Sequence, residues 1–456
     1  MTDTISEITD TILTLADNGL PLHERVAQAV ETAIASGRYR AGERLPTHRQ
    51  LAQQLSVSIG SVTRAIDALS SRGVVRGETG RGTFVLAQAG GEADDGIVDL
   101  STNAPPPVIA PHRMTEASEL ANRNALALAN GGYIDLSGTD RQRGVVAGWL
   151  TATRTPLRTD EILLCNGAQQ GLHLAFAALR ERSTIILTES ATFPGAIAAA
   201  ANLGMTMIPV THDGEGMEPA ALDAALANTG AKTLYLTPVA QNPLGFETGP
   251  ERRRAIAALV ERHDAMIVED DIYGFYAAKG TLTFRQRMPE RVVYISSLSK
   301  SLTPLIRLGV IAPPARLMGT IRKRMRAEGW GLPPYVAELG AAMIETGLAD
   351  EAVVALRAEA LARLELTRSI LGIGAVPMPG GTPHLFLPMA PIKAEQFARR
   401  ASEAGVRLTP PSAGQVGEAP VAGLRICIMA PRSRATLERA LRILAGIFGS
   451  EEEVAV

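Results

Sequence analysis

The sequence predicts an α/β protein in two parts: a small helical module closed by a β-hairpin, then a large body with a mostly parallel sheet and a smaller α+β lobe. Three observations predict it. Between Pro21 and Leu86, apolar residues recur at helical spacing and give way to two short strand-like runs around a glycine-rich turn. From Asp99 onward, short apolar runs alternate with helical ones, the pattern of a parallel sheet covered by helices. From Ala394, helix, strand and helix patterns complete the body. The 456 residues suffice for two or three domains, and a composition of 46% hydrophobic and 20% charged residues is ordinary for a soluble globular protein.

In the first part, Val26, Val30, Ala33 and Ile34 mark a helix from Pro21 to near Gly37. Pro46 and Thr47 open a second helix through Leu55. Ser58 stands where an N-cap starts a third, running to Ser71 and stopped by Gly73. Val74–Arg76 and Thr83–Leu86 read as strands joined by the Gly77–Gly82 turn. This order is a winged helix-turn-helix over residues 21–86. Its third helix exposes Ile59, Ser61, Thr63 and Arg64 while Val62, Ile66 and Leu69 face inward.

The chain's net charge of −2 carries no nucleic-acid signal, but residues 21–86 hold nine arginines against five acids, a net +4. Candidate DNA contacts are Ser58, Ser61, Thr63 and Arg64 on the third helix, Arg44 and Arg49 beside it, and Arg81 on the wing. Arginine bonds phosphates or guanine edges, and hydroxyls contact either. The plainer alternative is a helical protein-interaction module. Residues 1–20 are acidic and weakly periodic, readable as a short helix or a loose arm.

Residues 87–97 (AQAGGEADDGI) are rich in glycine and acid and read as a linker, which spans at most ~40 Å when extended. In the body, residues 98–456, the strand candidates are Ile162–Cys165, Thr184–Leu187, Met205–Val210, Thr233–Thr237, Met266–Glu269 and Val292–Ser296. Residues 169–180, 218–227 and 250–263 are helical stretches between them. Ala394–Ala404 (helix), Gly423–Met429 (strand) and Arg434–Phe448 (helix) make the smaller lobe. Cys165 and Cys427 lie far apart without metal-ligand spacing and read as buried small hydrophobes, so no metal is expected. No cationic start precedes an apolar run, and no run is long enough to span a membrane. The expected location is the cytoplasm.

Lys300 carries the chemistry of the body. Only five lysines stand against forty arginines, and Lys300 follows an apolar strand in Ser-Ser-Leu-Ser-Lys. A Schiff base needs an amine that can be neutral, and desolvation permits that. Its neighbours in sequence order supply what pyridoxal 5'-phosphate (PLP) requires. Asp270, after Met266–Val268, suits the pyridine nitrogen. Tyr273 and Asn242 suit the phenolic oxygen, and Phe193 offers a face to stack on the ring. Ala168 and Gln169 at a helix start present N–H groups to phosphate, with Ser297, Ser299 and Arg307 completing that site. Arg425 can pair a carboxylate bidentately, and Asn103 joins it as a candidate effector contact.

The phrase LPTHRQLAQQLSVSIGSVTRAIDAL resembles the GntR-type winged helix. The motifs NGAQQG, QNPLG, VEDDIYG, SSLSKSLTPLIRLG and LRI resemble a fold-type I aminotransferase of the aspartate aminotransferase superfamily. Joined, the two halves resemble the MocR subfamily of GntR-type transcriptional regulators. The resemblance implies PLP on Lys300 and a domain-swapped homodimer in which Tyr133, with Gly138 and Arg143, reaches the neighbouring subunit's phosphate. It also implies binding to a double-stranded operator, controlled by an amino-acid or amine effector through aldimine exchange at Lys300. Phe193 where many relatives carry Tyr or Trp, and Cys427 after Arg425, are the departures. The cofactor set carries no lesion, which leaves a transamination half-reaction open. The alternative reading is therefore a working aminotransferase with an accessory DNA-binding module.

Overall fold

The structure is a computed structural model that describes residues 21–453 apart from 36–38, 40–41, 72–73, 79–80, 87–95, 129–131, 375–377 and 379. The readings of residues 1–20, the stops at Gly37 and Gly73, and most of the linker lie outside the described residues. The chain divides into two compact units between residues 95 and 96.

The first unit contains α1 (Leu22–Ala35), α2 (His48–Gln54), α3 (Ile59–Ser71), β1 (Val75–Glu78) and β2 (Gly82–Val85). Thr47 caps α2 by accepting from the Gln50 amide while the Gln50 side chain returns to the Thr47 N–H at 2.9 Å. Ser58 accepts from the Ser61 amide at 3.1 Å and so caps α3 as expected. Val62, Ile66 and Leu69 turn inward against Val26, Val30 and Leu51, and Val75 and Val85 close the core from the hairpin. The strands pair antiparallel from Val75↔Val85 to Glu78↔Gly82. Gly82 has φ +119°, and a Cβ there would lie 2.5 Å from the Arg44 Nε, so conformation and space both require glycine.

The second unit is built on seven strands: β4 (Leu163–Asn166), β5 (Ile185–Glu189), β6 (Thr206–Val210), β9 (Thr233–Leu236), β10 (Met266–Asp270), β11 (Val292–Ser297) and β12 (Leu308–Ala312). A small hairpin, β7 (His212–Asp213) and β8 (Gly216–Met217), sits outside that sheet. The sheet order is β4-β12-β11-β10-β9-β5-β6. β6, β5, β9, β10 and β11 pair in parallel, while β12 runs antiparallel between β11 and β4. The six predicted strands are all present. β12 was not among them, because LGVIA follows the lysine segment without a turn signal of its own.

Both faces of the sheet are covered along its central strands, which is why those strands are mostly apolar. Leu164, Leu187, Leu234, Ile267 and Val310 face one layer, and Cys165, Ile186, Tyr235, Val268 and Ile311 the other. The smaller lobe pairs β13 (Leu385–Pro388) antiparallel with β15 (Gly423–Ile426), and β14 (Val406–Arg407) parallel with β3 (Val98–Asp99). Helices Pro391–Glu403 and Arg434–Glu453 pack on it through Phe397, Leu437 and Leu441. Among the described residues, no helix is long and apolar enough to cross a membrane.

The parallel strands end along one edge, where open α/β sheets bind ligands. Asp270 ends β10, Ser297 ends β11, and Gly167 follows β4. Gly309 in β12 presses on this edge: a Cβ there would overlap the Gly167 backbone. Gly309→Ala is therefore expected to destabilise the protein by about 1–3 kcal/mol and to weaken PLP binding, read by urea unfolding and cofactor titration.

Candidate cofactor site and nucleic-acid interface

Lys300 lies on the short helix Leu298–Ser301, and its Nζ donates to the Asn103 carbonyl oxygen. Burial, with Arg307 and Arg425 nearby, holds its pKa below the usual lysine value. The Asn103 side chain donates to the Tyr273 hydroxyl at 2.9 Å and approaches His384 Nδ1 at 2.9 Å. The other nitrogen, His384 Nε2, lies 2.9 Å from the Gln241 carbonyl oxygen. Burial pushes His384 down to about 3, so its ring is neutral. Nδ1 then accepts and Nε2–H donates, which fixes the tautomer. Burial also raises Tyr273, leaving it a neutral hydroxyl.

Asp270 is buried at the end of β10, and its Oδ2 accepts from the Tyr235 hydroxyl at 2.8 Å. Burial raises its pKa to about 6, against the Tyr235 bond, which lowers it. Its Oδ1 is buried without a hydrogen-bond partner among the described residues. Asn242 precedes a cis proline, and its Oδ1 accepts from Arg425 at 2.5 Å. Arg425 also donates to Thr409 Oγ1 at 2.7 Å and to the Ser101 carbonyl, while its Nε is buried with no hydrogen-bond partner among the described residues. Cys427, buried beside Arg425 and Lys300, is pushed up to about 11 by burial.

The phosphate end is built on α4 (Gly167–Leu179), which begins with Gly167 at φ +70°. The exposed Arg307 guanidinium lies over Gly167, where a Cβ would sit 3.3 Å from its Nη2, and it has no acidic partner among the described residues. Free N–H groups at a helix start beside an unpaired arginine make an anion site. Ser297 and Ser299 are near, but their hydroxyls donate to the carbonyls of Leu308 at 2.9 Å and Ile306 at 3.0 Å. They hold the segment that carries Arg307. Gln169 turns to the Gly195 carbonyl at 2.7 Å, and Gly195 makes room for it and for the Phe193 ring. Tyr133 stands apart at 96% exposure, stacked on Trp330 with ring centroids 5.6 Å apart.

These residues fit PLP. A buried carboxylate oxygen with no partner among the described residues would suit a ring N–H, a lysine with a lowered pKa would suit an aldehyde, and an arginine with no acidic partner at a helix start would suit phosphate. Tyr235, His384 and Gln241 were not singled out from sequence. A tyrosine between two leucines in the short strand TLYL is the signal for the first, since a buried hydroxyl needs a partner. The two others have only composition behind them.

On the first unit, Ile59 and Arg64 are exposed as the sequence predicts, whereas Ser61 and Thr63, expected to be exposed, are half-buried. Thr63 Oγ1 lies 3.2 Å from His48 Nδ1, a cross-link between α2 and α3 that was not anticipated. Arg44 and Arg49 are exposed with no acidic partner among the described residues. Arg81 pairs with Glu78 at 3.0 Å and lies 6.0 Å from the Phe84 ring centroid. Arg49→Ala is expected to weaken operator binding about tenfold, one phosphate or base contact at ~1.4 kcal/mol, and to leave the cofactor spectrum intact. Mobility-shift titration and absorbance on the same sample check both.

Fold and site together define an aminotransferase-type PLP domain joined to a winged helix-turn-helix. Residues 95–444 match the model for aminotransferase class I and II, and residues 22–85 match the bacterial regulatory proteins of the gntR family. The chain belongs to the aminotransferase class I and II family, with a GntR-type DNA-binding unit at its head. It is 25% identical over 441 residues to the uncharacterized HTH-type transcriptional regulator YdeF of Bacillus subtilis, covering 93% of this chain and 94% of that one. It is 26% identical over 336 residues to the probable rhizopine catabolism regulatory protein MocR of Rhizobium meliloti, covering 66% and 67%. The vitamin B6 salvage pathway transcriptional repressor PtsJ of Salmonella typhimurium is 25% identical over 372 residues, covering 80% and 84%. Among solved structures, the α-aminoadipate aminotransferase LysN of Thermus thermophilus matches with TM-score 0.69 and 22% identity, over 79% of this chain and 94% of that one.

Proposed function

We propose that this chain is a PLP-dependent transcriptional regulator of the MocR type, acting in the cytoplasm as a homodimer. One observation carries the reading: a set of side chains that fits PLP, the half-buried Lys300, the buried Asp270 carboxylate and Arg425, lies on the same chain as a winged helix whose Arg44 and Arg49 are exposed with no acidic partner among the described residues. Lys300 holds the cofactor, Asp270 Oδ1 its ring nitrogen, Tyr273 and Asn242 its phenolic oxygen, and the α4 N-terminus with Arg307 its phosphate. Bound there, PLP supplies an electrophilic carbon with which an amine condenses reversibly.

The other residues select that amine. Arg425, on β15 and bonded to the Ser101 carbonyl, binds an acidic group, so the effector is an amino acid or an amine with a distal acid. Rearranging its contacts to Ser101 and Thr409 moves the smaller lobe and biases DNA binding, a population shift set by differential affinity. Tyr133, 96% exposed, serves the neighbouring subunit's phosphate. The domain division at a linker of residues 87–97 belongs to the same proposal.

The test is to titrate the PLP-loaded protein with a panel of amino acids and amines, following visible absorbance and operator affinity together. One compound is expected to shift both without forming product. Arg425→Ala is expected to weaken an acidic effector by roughly a hundredfold, about 2.7 kcal/mol for a lost bidentate pair. A spectral shift that never alters DNA binding would sink the regulatory reading. The intact set of Lys300, Asp270, Tyr273, Asn242 and Arg425 favours one second reading, a working aminotransferase. Sustained turnover with an amino donor and a 2-oxo acid would establish it.

A further inference from the structure

Behind the lysine segment lies a cavity of about 540 Å³ that the proposed mechanism does not use. That volume is in the range of small-molecule sites. Trp149, Ile272, Phe275 and Leu282 give it an apolar wall, and Arg154, Lys279 and Arg357 give it cations. Among the described residues, no aspartate or glutamate lines it. Arg154 is matched by Asp271, which it bonds at 2.6 and 2.9 Å. Arg357 donates to the Phe275 carbonyl at 2.7 Å but pairs with no carboxylate among the described residues. Lys279 is exposed, with no hydrogen bond or ion pair among them. Glu247, near the rim, is spent on Thr281 at 3.1 Å and on the Ala278 amide.

A second observation points to a ligand. Ser301 lines this cavity at 3% exposure, and its Oγ has no hydrogen-bond partner among the described residues. A buried hydroxyl is rarely left unsatisfied. Two unmatched cations, one unpartnered donor and an indole-bearing wall converge on a single space. Its floor is Ser296, Ser297 and Ser301, on either side of Lys300, and Ile272 follows Asp270 by two residues. Whatever fills the cavity touches the far side of both cofactor-bearing segments.

We propose that this cavity is a second, non-covalent effector site for a small organic carboxylate with an apolar body, and that its occupancy is felt at Lys300. Arg357 and Lys279 take the carboxylate, Ser301 donates to it, and Trp149 with Leu282 covers the apolar part. The consequence for transcription rests on the regulatory reading above. Binding itself does not.

Calorimetric titration of the PLP-loaded full-length protein with phenylacetate, and with neutral phenylacetamide as control, tests it. Phenylacetate is expected to bind at one site per chain and phenylacetamide about tenfold more weakly. Lys279→Gln, an exposed change, and Arg357→Gln are each expected to weaken phenylacetate about tenfold, while Arg425→Ala leaves it unchanged. The cofactor's visible band is expected to shift its pH midpoint upward with phenylacetate, because an anion beside the lysine segment favours the protonated form. No binding, or binding lost in Arg425→Ala but kept in Lys279→Gln and Arg357→Gln, overturns the site. Binding that leaves the band unmoved overturns its link to Lys300. If phenylacetate binds as expected but amines never change DNA affinity, the regulatory reading fails and this site stands.

Discussion

Replacing Lys300 with methionine is expected to give a folded, operator-binding protein that is colourless and no longer responds to amines. Methionine keeps an unbranched stem of similar volume and removes only the amine. The lysine is half-buried, and desolvation, with Arg307 and Arg425, holds its pKa below the usual value. The folded chain therefore binds fewer protons at this site than the unfolded one. Its contribution to stability rises with pH between the folded value and the unfolded one, and at neutral pH the ammonium form is a cost. Removing it should raise the unfolding temperature of the cofactor-free chain while abolishing the visible band after dialysis. Absorbance, thermal melting and mobility-shift titration read the three effects. A variant that still changes operator affinity with the effector amine would show that condensation at Lys300 is not the sensing chemistry.

The sequence was legible where residue type and chain order coincide. Thr47, Ser58 and Gly82 announce two helix starts and a wing because capping and left-handed geometry each demand a short list of residues. Lys300, Asp270 and Asn242 follow strands that end on one edge, so the sheet brings them together. What the sequence withheld depends on contacts between distant segments. Asn103 meets Tyr273 across a separation of 170 residues, and His384 reaches Gln241 across 143. Nothing local in either pair signals the other. Ser297 and Ser299 show the reverse: their chemistry suits phosphate, yet they are turned to the carbonyls of Leu308 and Ile306. β12 escaped because its direction in the sheet is set by its partners rather than by its own five residues.

Asp270→Asn is the change expected to separate the cofactor's needs from those of the fold. Burial raises the Asp270 carboxyl from 3.8 to about 6. The folded chain keeps this proton through a window in which the unfolded chain has lost it. Stability from this group is therefore present below about pH 4 and is lost as pH rises toward 6. Asparagine cannot ionise, so the cofactor-free variant should gain up to roughly 3 kcal/mol over the parent at pH 8. Glu189 and Glu269, each raised to about 7 by burial, remain and keep part of the pH dependence in both proteins. With PLP the sign reverses. A protonated ring nitrogen against Oδ1 compensates the buried carboxylate, and an amide offers it no charge. The variant should be more stable than the parent when empty, and should gain much less from added PLP. Urea unfolding from pH 4 to 8, with and without PLP, measures both terms. Parallel pH profiles for the two empty proteins would mean that Asp270 is ionised in the fold, supported by charges other than the cofactor's.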